Sequence, residues 1–594
     1  MCGLIGLFGH SCDDESIRAA LARMARRGPD GEGTWRDEGV VLGHRRLAII
    51  DLDERAAQPM QSIDGRYVIV YNGEIYNFRE LRKELEGKGA WFRTNSDTEV
   101  ILSLFADRGE AMLRSLHGMF AFMIWDRLAK RAFAARDPYG IKPLYYAETS
   151  QGALVASQVK ALLATGLVSR EPDVHGQAGF WLLGSVPEPR TWYREIRALP
   201  AGHFAWIDEG RVGVPKCWWD IGNAWRTASG DRRSDSEVRD HVRIALKESV
   251  ARHLVADVPV GVFLSGGIDS GALAGLMVEA GAKELEGVTL TYDEFAGTHE
   301  DEAPVAAQIA AHYGIRHHIR RVTRDEFLAE MPRILDAMDQ PSIDGVNTWY
   351  ASKAAAERGL KVVVSGVGGD ELFQGYESFR QLPRLVRARK ALEAIPGAVA
   401  ALQRWADRRS QRTGNGRWHH LAEWSRSIAG AWWLRRSLYG PCNLPQLMSP
   451  DATKDALAEF DAAKYVQSMS GPLPTDMRLA LGQIESSTYL RNQLLRDSDW
   501  ASMDHSVELR TPLVDAWLLE QMKSCLLSIG RFPNKGLLAG APICALPEQV
   551  IRRRKTGFGI PVIQWRAARH APSVGVGSRE WAKMLVAEYE ATLA

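Results

Sequence analysis

The stretch "FLSGGIDS" (263–270) decides how the second half of this chain folds. An apolar run, a Ser-Gly-Gly turn and the start of a helical pattern follow one another without a spacer. That is the strand–loop–helix order of a parallel sheet. Such a turn gathers backbone N–H groups at a helix N-terminus, where free donors and the helix dipole favour an anion. Ser265, Gly266, Gly267 and Ser270 read as a phosphate cradle, because glycine lets backbone approach an oxygen closely. No Gly-Lys-[Ser/Thr] follows, so the loop is not a Walker P-loop, and it is not GxGxxG either. Asp269 sets an acid among the phosphates, which makes chemical sense when Mg²⁺ bridges them. Ser-Gly-Gly alone would be read as an ordinary turn; the complete pattern in this context favours phosphate binding.

The surroundings repeat the alternation. An amphipathic helix "SEVRDHVRIALKESVARHLV" leads into the strand, and "LEGVTLTY" and "DEAPVAAQIAAHYG" supply the next strand and helix. A second Gly-rich loop, "VVVSGVGGDELFQGY" (362–376), follows another strand and offers Asp370 and Glu371 as magnesium ligands. A third segment, "RRRKTGFGIP" (552–561), places Lys555 beside a turn built for close approach, a candidate pyrophosphate contact against the blander reading of a solvated basic face. Residues from about 236 therefore read as a doubly wound parallel α/β domain. Residues ~380–490 add helices rich in Trp and Arg. Within them "RWADRRSQRTGNGRWHHLAEW" (404–424) interleaves basic and aromatic residues, and buried tryptophans under a helical surface explain it better than RNA binding does.

The first ~200 residues differ. Short β-like runs such as "GLIGLFG", "RYVIVYNGEIYN" and "HGMFAFMIWD" alternate with turns, and helical patterns cover 15–27 and 77–89. This predicts an α+β unit with antiparallel sheets. The stretch from ~206 to 235 loses periodicity and reads as a linker. Three polar loops end β-like runs: "HRRLAI" (44–49), "YNGEIYN" (71–77) and "NSDTEV" (95–100). An Arg for a carboxylate and acids for an ammonium would together hold an amino acid, although each loop alone is a common turn. Cys2 stands directly behind Met1. If Met1 is removed, one residue carries a thiol and a free α-amine, whose reference pKa of about 7.7–8.0 suits it to serve as base for its own thiol.

Bulk properties bound these readings. A length of 594 residues exceeds one core, and 45% hydrophobic with 25% charged residues is ordinary globular composition. A formal charge of +1 gives no footprint for nucleic acid or anionic membrane. Six scattered cysteines show no zinc-ligand spacing, and no apolar run approaches the ~20 residues of a membrane span. With no signal-peptide pattern at its start, the chain reads as a cytoplasmic enzyme acting on small molecules.

"MCGLIG", "RRGPDGEG", "HRRLAIIDL", "YNGEIYN", "SDTEV", "RDPYGIKPLYY", "FLSGGIDS", "SGVGGDELFQGY" and "RDSDWASMDHSVELRTPLVD" occur in order from residue 2 to about 565. Together they resemble the glutamine-hydrolysing (class B) asparagine synthetase family. The resemblance implies a class II glutaminase with the Ntn-hydrolase αββα sandwich over 2–205, a linker over 206–235 and an ATP-pyrophosphatase domain of adenine nucleotide hydrolase type over 236–570, followed by a tail over 571–594. It further implies a tunnel for ammonia and a possible homodimer. Carried over position by position, Cys2 would attack the glutamine amide, with Asn72 and Gly73 as oxyanion hole. Arg46, Leu47, Ala48, Ile49, Ile50, Asn72, Gly73, Glu74 and Asp97 would hold glutamine. Leu264 and Leu290 would flank adenine, and Ser265, Gly266, Gly267, Asp269, Ser270, Ser365, Gly366 and Lys555 would bind ATP and pyrophosphate. Asp269 and Asp370 would take Mg²⁺. The expected reaction makes an acyl-AMP from a carboxylate, L-aspartate by family. One position departs: Val367 stands where the family's Ser-Gly-Glu-Gly has glutamate, and "DQPSIDGVNTW" (339–349) also departs. Another carboxylate (a sugar uronate, a peptide or a small metabolite) is the alternative acceptor, and a non-catalytic relative the alternative class.

Overall fold

The computed structural model describes residues 2–9, 14–228, 233–458, 460–553, 559–567 and 577–593. The N-terminal part holds two antiparallel sheets. One orders its strands Ile196–Ala198, Tyr145–Glu148, Ala153–Ala156, Gly3–Phe8, Val40–Arg46, Gly31–Asp37. The other runs from Arg211–Val212 through His203–Asp208, Arg131–Arg136, Gly118–Asp126 and Tyr67–Ile75 to Met60–Gln61.

Side-chain alternation explains the layering. Along Gly3–Phe8, Leu4 and Phe8 face Val68, Val70 and Met123 of the other sheet, while Ile5 and Leu7 pack on Ile17, Ala20 and Leu21 of the helix Asp14–Arg23. Ile69, Phe122 and Phe133 point away from the sheet interface, onto Phe78, Leu81, Val100 and Ile101 of the helices Phe78–Gly87 and Asp97–Arg108. Strands buried on both faces read as continuous apolar runs, and "MFAFMIW" is one. The result is four layers, helix–sheet–sheet–helix, with Gly3 emerging from Cys2 at one end of a central strand.

The C-terminal part is built on five parallel strands in the order Arg316–Val322, Glu286–Tyr292, Val260–Phe263, Val362–Val364, Glu508–Arg510. In chain order this is 3-2-1-4-5. Helices cover both faces: Asp235–His253, Ile268–Glu279 and Ala303–Tyr313 on one, Arg324–Ala337 and Val346–Glu357 on the other. The direction of winding reverses between Val260–Phe263 and Val362–Val364. Ligands of doubly wound sheets bind at the carboxyl ends of the strands flanking that reversal. Both Gly-rich loops named above leave from those two ends. No described helix is long and apolar enough to cross a membrane.

Two expected boundaries change. The 206–235 stretch is not a free connection: Arg211–Val212 and Lys216–Cys217 pair with His203–Asp208, and the short helix Ile221–Arg226 buries Trp225 against Gly482. Its Gly and Trp residues make tight turns and anchors, which look aperiodic in sequence. Of the expected tail, Ser578–Leu593 forms a helix whose Ala582 and Leu585 are fully buried. Trp581 Nε1 donates to Ile343 O and Tyr589 OH to Asp339 O, so it docks on the 339–349 segment.

Phe122 is fully buried with its ring 5.5 Å from Phe120. Phe122→Ala is expected to cost the N-terminal unit about 3–5 kcal/mol, seen as a lower midpoint of its transition in urea with far-UV circular dichroism as readout.

Candidate active site

Cys2 lies at the mouth of a strand and is buried. Its backbone N–H donates to Asn72 Oδ1 at 2.9 Å, and its carbonyl accepts from Arg27 Nε at 3.1 Å. The thiol pKa is pushed up by burial, so it needs a base to become a nucleophile at neutral pH. Asn72 is fully buried, and its Nδ2 has no hydrogen-bond partner among the described residues. Because the Cys2 N–H fixes Oδ1, the amide nitrogen is held as an unused donor, the requirement for an oxyanion contact. Gly73 must be glycine, since a Cβ there would lie 2.2 Å from Met119 O.

A pocket in front of the thiol is lined by Arg46, Leu47, Ile49, Ile50, Gly73, Glu74 and Asp97. Ala48 only flanks it, its N–H donating to Asp30 Oδ2 at 2.8 Å. Arg46 Nη1 donates to Asp53 O at 3.0 Å, and its Nη2 to Asp51 O. Asp97 begins a helix behind the N-cap Ser96, and its Oδ2 accepts from Tyr71 OH at 2.9 Å and Ile75 N at 3.0 Å. Burial raises its pKa to about 6 despite those donors. Glu74, also buried, is raised by burial and by Glu508, against the opposing pull of Arg510.

The second site is assembled by two loops. Ser265 N–H donates to Ser270 Oγ at 3.1 Å, and Gly267 N–H to Ser265 Oγ at 3.2 Å, which closes the turn before the helix Ile268–Glu279. The other loop presses against it, as a Cβ on Gly366 would fall 2.9 Å from Asp269 Cβ. Leu264 and Leu290 are both buried in the flanking cores. Ser365 N–H donates to Arg510 O at 2.8 Å. Val367 is half-buried against the apolar cluster of the sheet. Glu371 accepts from Tyr376 OH at 2.8 Å and is raised to about 7 by burial and Asp370.

Asp269 and Asp370 converge on one cation. Lys535 Nζ lies 2.5 Å from an oxygen of each, so the pair has the donor chemistry and the shared focus that a hard divalent ion requires. Lys555 lies outside the described residues. Arg553, two residues earlier, is placed against the first loop: a Cβ on Gly266 would lie 2.1 Å from its Nη1.

A glutamine amidotransferase domain model matches residues 1–219, and an asparagine synthase model matches 241–578. A putative glutamine-hydrolysing asparagine synthetase of Mycobacterium tuberculosis is 33% identical, the alignment covering 96% of this chain and 89% of that protein. The chain belongs to the glutamine-hydrolysing asparagine synthetase family. Asparagine synthetase 1 of Bacillus subtilis, at 32% identity over 95% of this chain and 88% of its own, is a further member. An amidase, chry2, of Gibberella zeae is 32% identical over 62% of this chain and 56% of its own length.

The structure adds residues that family motifs did not single out. Arg510, fully buried, bonds Glu508 Oε1 through Nε at 2.6 Å and the carbonyls of His253 and Val255 through Nη1. Its Nη2 stands 3.6 Å from Glu74. The strand carrying Arg510 therefore touches both sites, by its carbonyl at Ser365 and by its guanidinium at Glu74. Arg27 does the same at Cys2: its fork grips Asp499 of the C-terminal part at 2.7 and 3.1 Å. A Glu-x-Arg in a short strand and an Arg beside Gly-Pro carry no such signal in sequence.

Arg510→Met leaves Glu74 and Glu508 buried without their cation. A loss of about 3–5 kcal/mol is expected, seen in thermal unfolding of the full chain, and Glu508→Leu added to it should recover part of the loss.

Proposed function

We propose that this member of the family is a glutamine-dependent, ATP-driven ligase that converts a carboxylate to an amide through an acyl-adenylate. The N-terminal layers act as an Ntn-type glutaminase. With Met1 removed, the nitrogen bonded to Asn72 is an amine that keeps its lone pair for the thiol proton. Cys2 Sγ attacks the glutamine side-chain carbonyl, and Asn72 Nδ2 with the Gly73 N–H takes the oxyanion. The thioester forms as ammonia leaves, and water then releases glutamate. Arg46 holds the substrate carboxylate, Glu74 and Asp97 its ammonium, and Leu47 to Ile50 wall the pocket. The observation that carries this half is the buried, unpartnered Asn72 Nδ2.

In the C-terminal part, Leu264 and Leu290 flank adenine, and Ser265 to Ser270 with Ser365 and Gly366 hold the phosphates. Asp269 and Asp370 would hold Mg²⁺, which when bound neutralises charge on the phosphates and leaving pyrophosphate. Lys535 then turns from these acids to the phosphates, and Lys555 meets pyrophosphate. The acceptor carboxylate oxygen attacks the α-phosphorus and pyrophosphate leaves; ammonia attacks the acyl carbon and AMP leaves. The names of the relatives support L-aspartate as acceptor. A second reading, another carboxylate such as a sugar uronate, a peptide or a small metabolite, rests on Val367, which can neither accept a proton nor hold a cation where the family's asparagine synthetases have glutamate.

Cys2→Ala should lower glutamine-dependent synthesis by ~10²-fold or more while ammonia-dependent synthesis continues; equal loss of both would contradict the two-site scheme. Products should be AMP and pyrophosphate, and finding ADP and phosphate would refute the role of the first loop. Asp97 must be charged to hold an ammonium. Glutamine kcat/KM is therefore expected to rise with pH through about 6 and Asp97→Asn to flatten that limb, as followed by glutamate release.

A further inference from the structure

A large cavity lies apart from both of the sites above. It has a volume of about 770 Å³ and lies between the atypical 339–349 segment, the added helices and the docked C-terminal helix. Pockets of several hundred Å³ hold whole organic ligands, and free aspartate would leave most of this one empty. One wall is Ser486–Leu495, wound as a π-helix, a costly geometry that recurs at functional sites.

Its charge is one-sided. Arg417, Arg435, Arg436 and Arg579 line it, and Asp344 is its only carboxylate among the described residues. Arg436 is paired with Glu485 at 3.0 Å. The other three have no carboxylate within ion-pair distance among the described residues. Arg417 donates to Ser437 O at 2.9 Å and Asn415 Oδ1 at 3.1 Å, and Arg579 to Leu438 O at 2.7 Å and Asn415 Oδ1 at 2.6 Å, so neutral carbonyl oxygens aim them without neutralising them. Burial, with Arg579 and Arg435 adding like-charge crowding, pushes the Arg417 pKa down to about 10. Like charges gathered at a half-buried wall are unfavourable unless an anion completes them, and guanidinium forks suit carboxylate or phosphate.

A chain of side-chain contacts links the cavity wall to the second site. Arg436 stacks 4.6 Å from the Tyr376 ring and 3.8 Å from the Tyr489 ring. Tyr376 bonds Glu371, on the turn that follows the Gly-rich loop of Ser365 and Val367. On the opposite side Gly559 and Ile560 close it, just after the segment carrying Lys555.

We infer that this cavity binds the distal part of the acceptor, and that the acceptor is an acid with a second anionic group held by Arg417, Arg435 and Arg579. This rests on the amidation reading above and specifies its substrate class. Carboxylate and phosphate share the required chemistry.

The test is isothermal titration of inorganic phosphate, and separately of glutarate, into the full chain at low salt. The nucleotide loop is first filled with a non-hydrolysable ATP analogue and Mg²⁺. Saturable binding of at least one probe is expected, the better one marking the distal group as phosphoryl or carboxyl. Arg435→Gln, whose guanidinium makes no hydrogen bond or ion pair among the described residues and so puts no fold at risk, should weaken it about tenfold. Arg417→Gln with Arg579→Gln should abolish it. No binding of either probe, or unchanged binding in Arg435→Gln and the double variant alike, overturns the inference. Pyrophosphate release with L-aspartate and glutamine separates the two claims. If it proceeds while neither probe binds, the cavity assignment falls and amidation stands. If the arginine-dependent binding holds but no acid tested releases pyrophosphate, amidation falls and with it the acceptor role.

Discussion

A buried guanidinium holds this molecule together as a two-site device. Arg510 is fully buried, and bringing a cation there is favourable only because Glu508, Glu74 and two backbone carbonyls surround it. Glu508 and Arg510 belong to the last strand of the parallel sheet, and Glu74 to a central strand of an antiparallel one. Meeting at that cation ties the two sheets together, alongside an apolar cluster that runs from Ile5 and Leu162 of one part to Phe327 and Trp349 of the other. The same strand supplies the carbonyl that receives Ser365 N–H, so the loop of the second site and the acid of the first share a support. A shift of Arg510 is felt at both, which gives the two half-reactions a physical means of coupling. The Arg27–Asp499 pair is a second such bridge, ending on the Cys2 carbonyl itself.

Much of this was legible before the coordinates. The Ser-Gly-Gly turn behind "GVFL" announced a strand–loop–helix step, and the winding reversal falls where the two Gly-rich loops begin. The alternation of Leu4 and Ile5 between two cores follows from the period of a strand. Cys2, Asn72, Gly73, Glu74 and Asp97 were read from loops that each resemble a common turn, and the fold brings them around one pocket. What sequence could not show depends on long-range pairing. Lys535 is far along the chain from Asp269 and Asp370, and nothing local marks it as their counter-ion. The stretch after residue 206 looked like a linker because short edge strands carry too few residues for a visible period. The tail after about 570 reads as a final helix in sequence, and Ser578–Leu593 is one; its docking on the 339–349 segment depends on long-range contacts that no local pattern marks.

The segment at 339–349 and the helix Ser578–Leu593 pack on each other. By the resemblance, Val367 stands beside the proposed nucleotide loop where a glutamate is expected. The segment at 339–349 and the helix Ser578–Leu593 together open an arginine-lined cavity behind it. A family reaction with a changed acceptor would need changes in these places and none around Cys2. The pocket at Cys2 holds the residues that the proposed glutaminase chemistry calls for.

The central claim is that nitrogen released at Cys2 is consumed at the second site of the same chain. The most direct measurement supplies glutamine labelled with ¹⁵N in the side-chain amide, together with ATP, an acceptor acid and a large excess of unlabelled ammonium at a pH where little of it is free ammonia. Mass spectrometry then gives the isotope ratio of the amide product. Product enriched in ¹⁵N far above the bulk ammonium pool is the result this account predicts. Product carrying the isotope ratio of the bulk pool would contradict it.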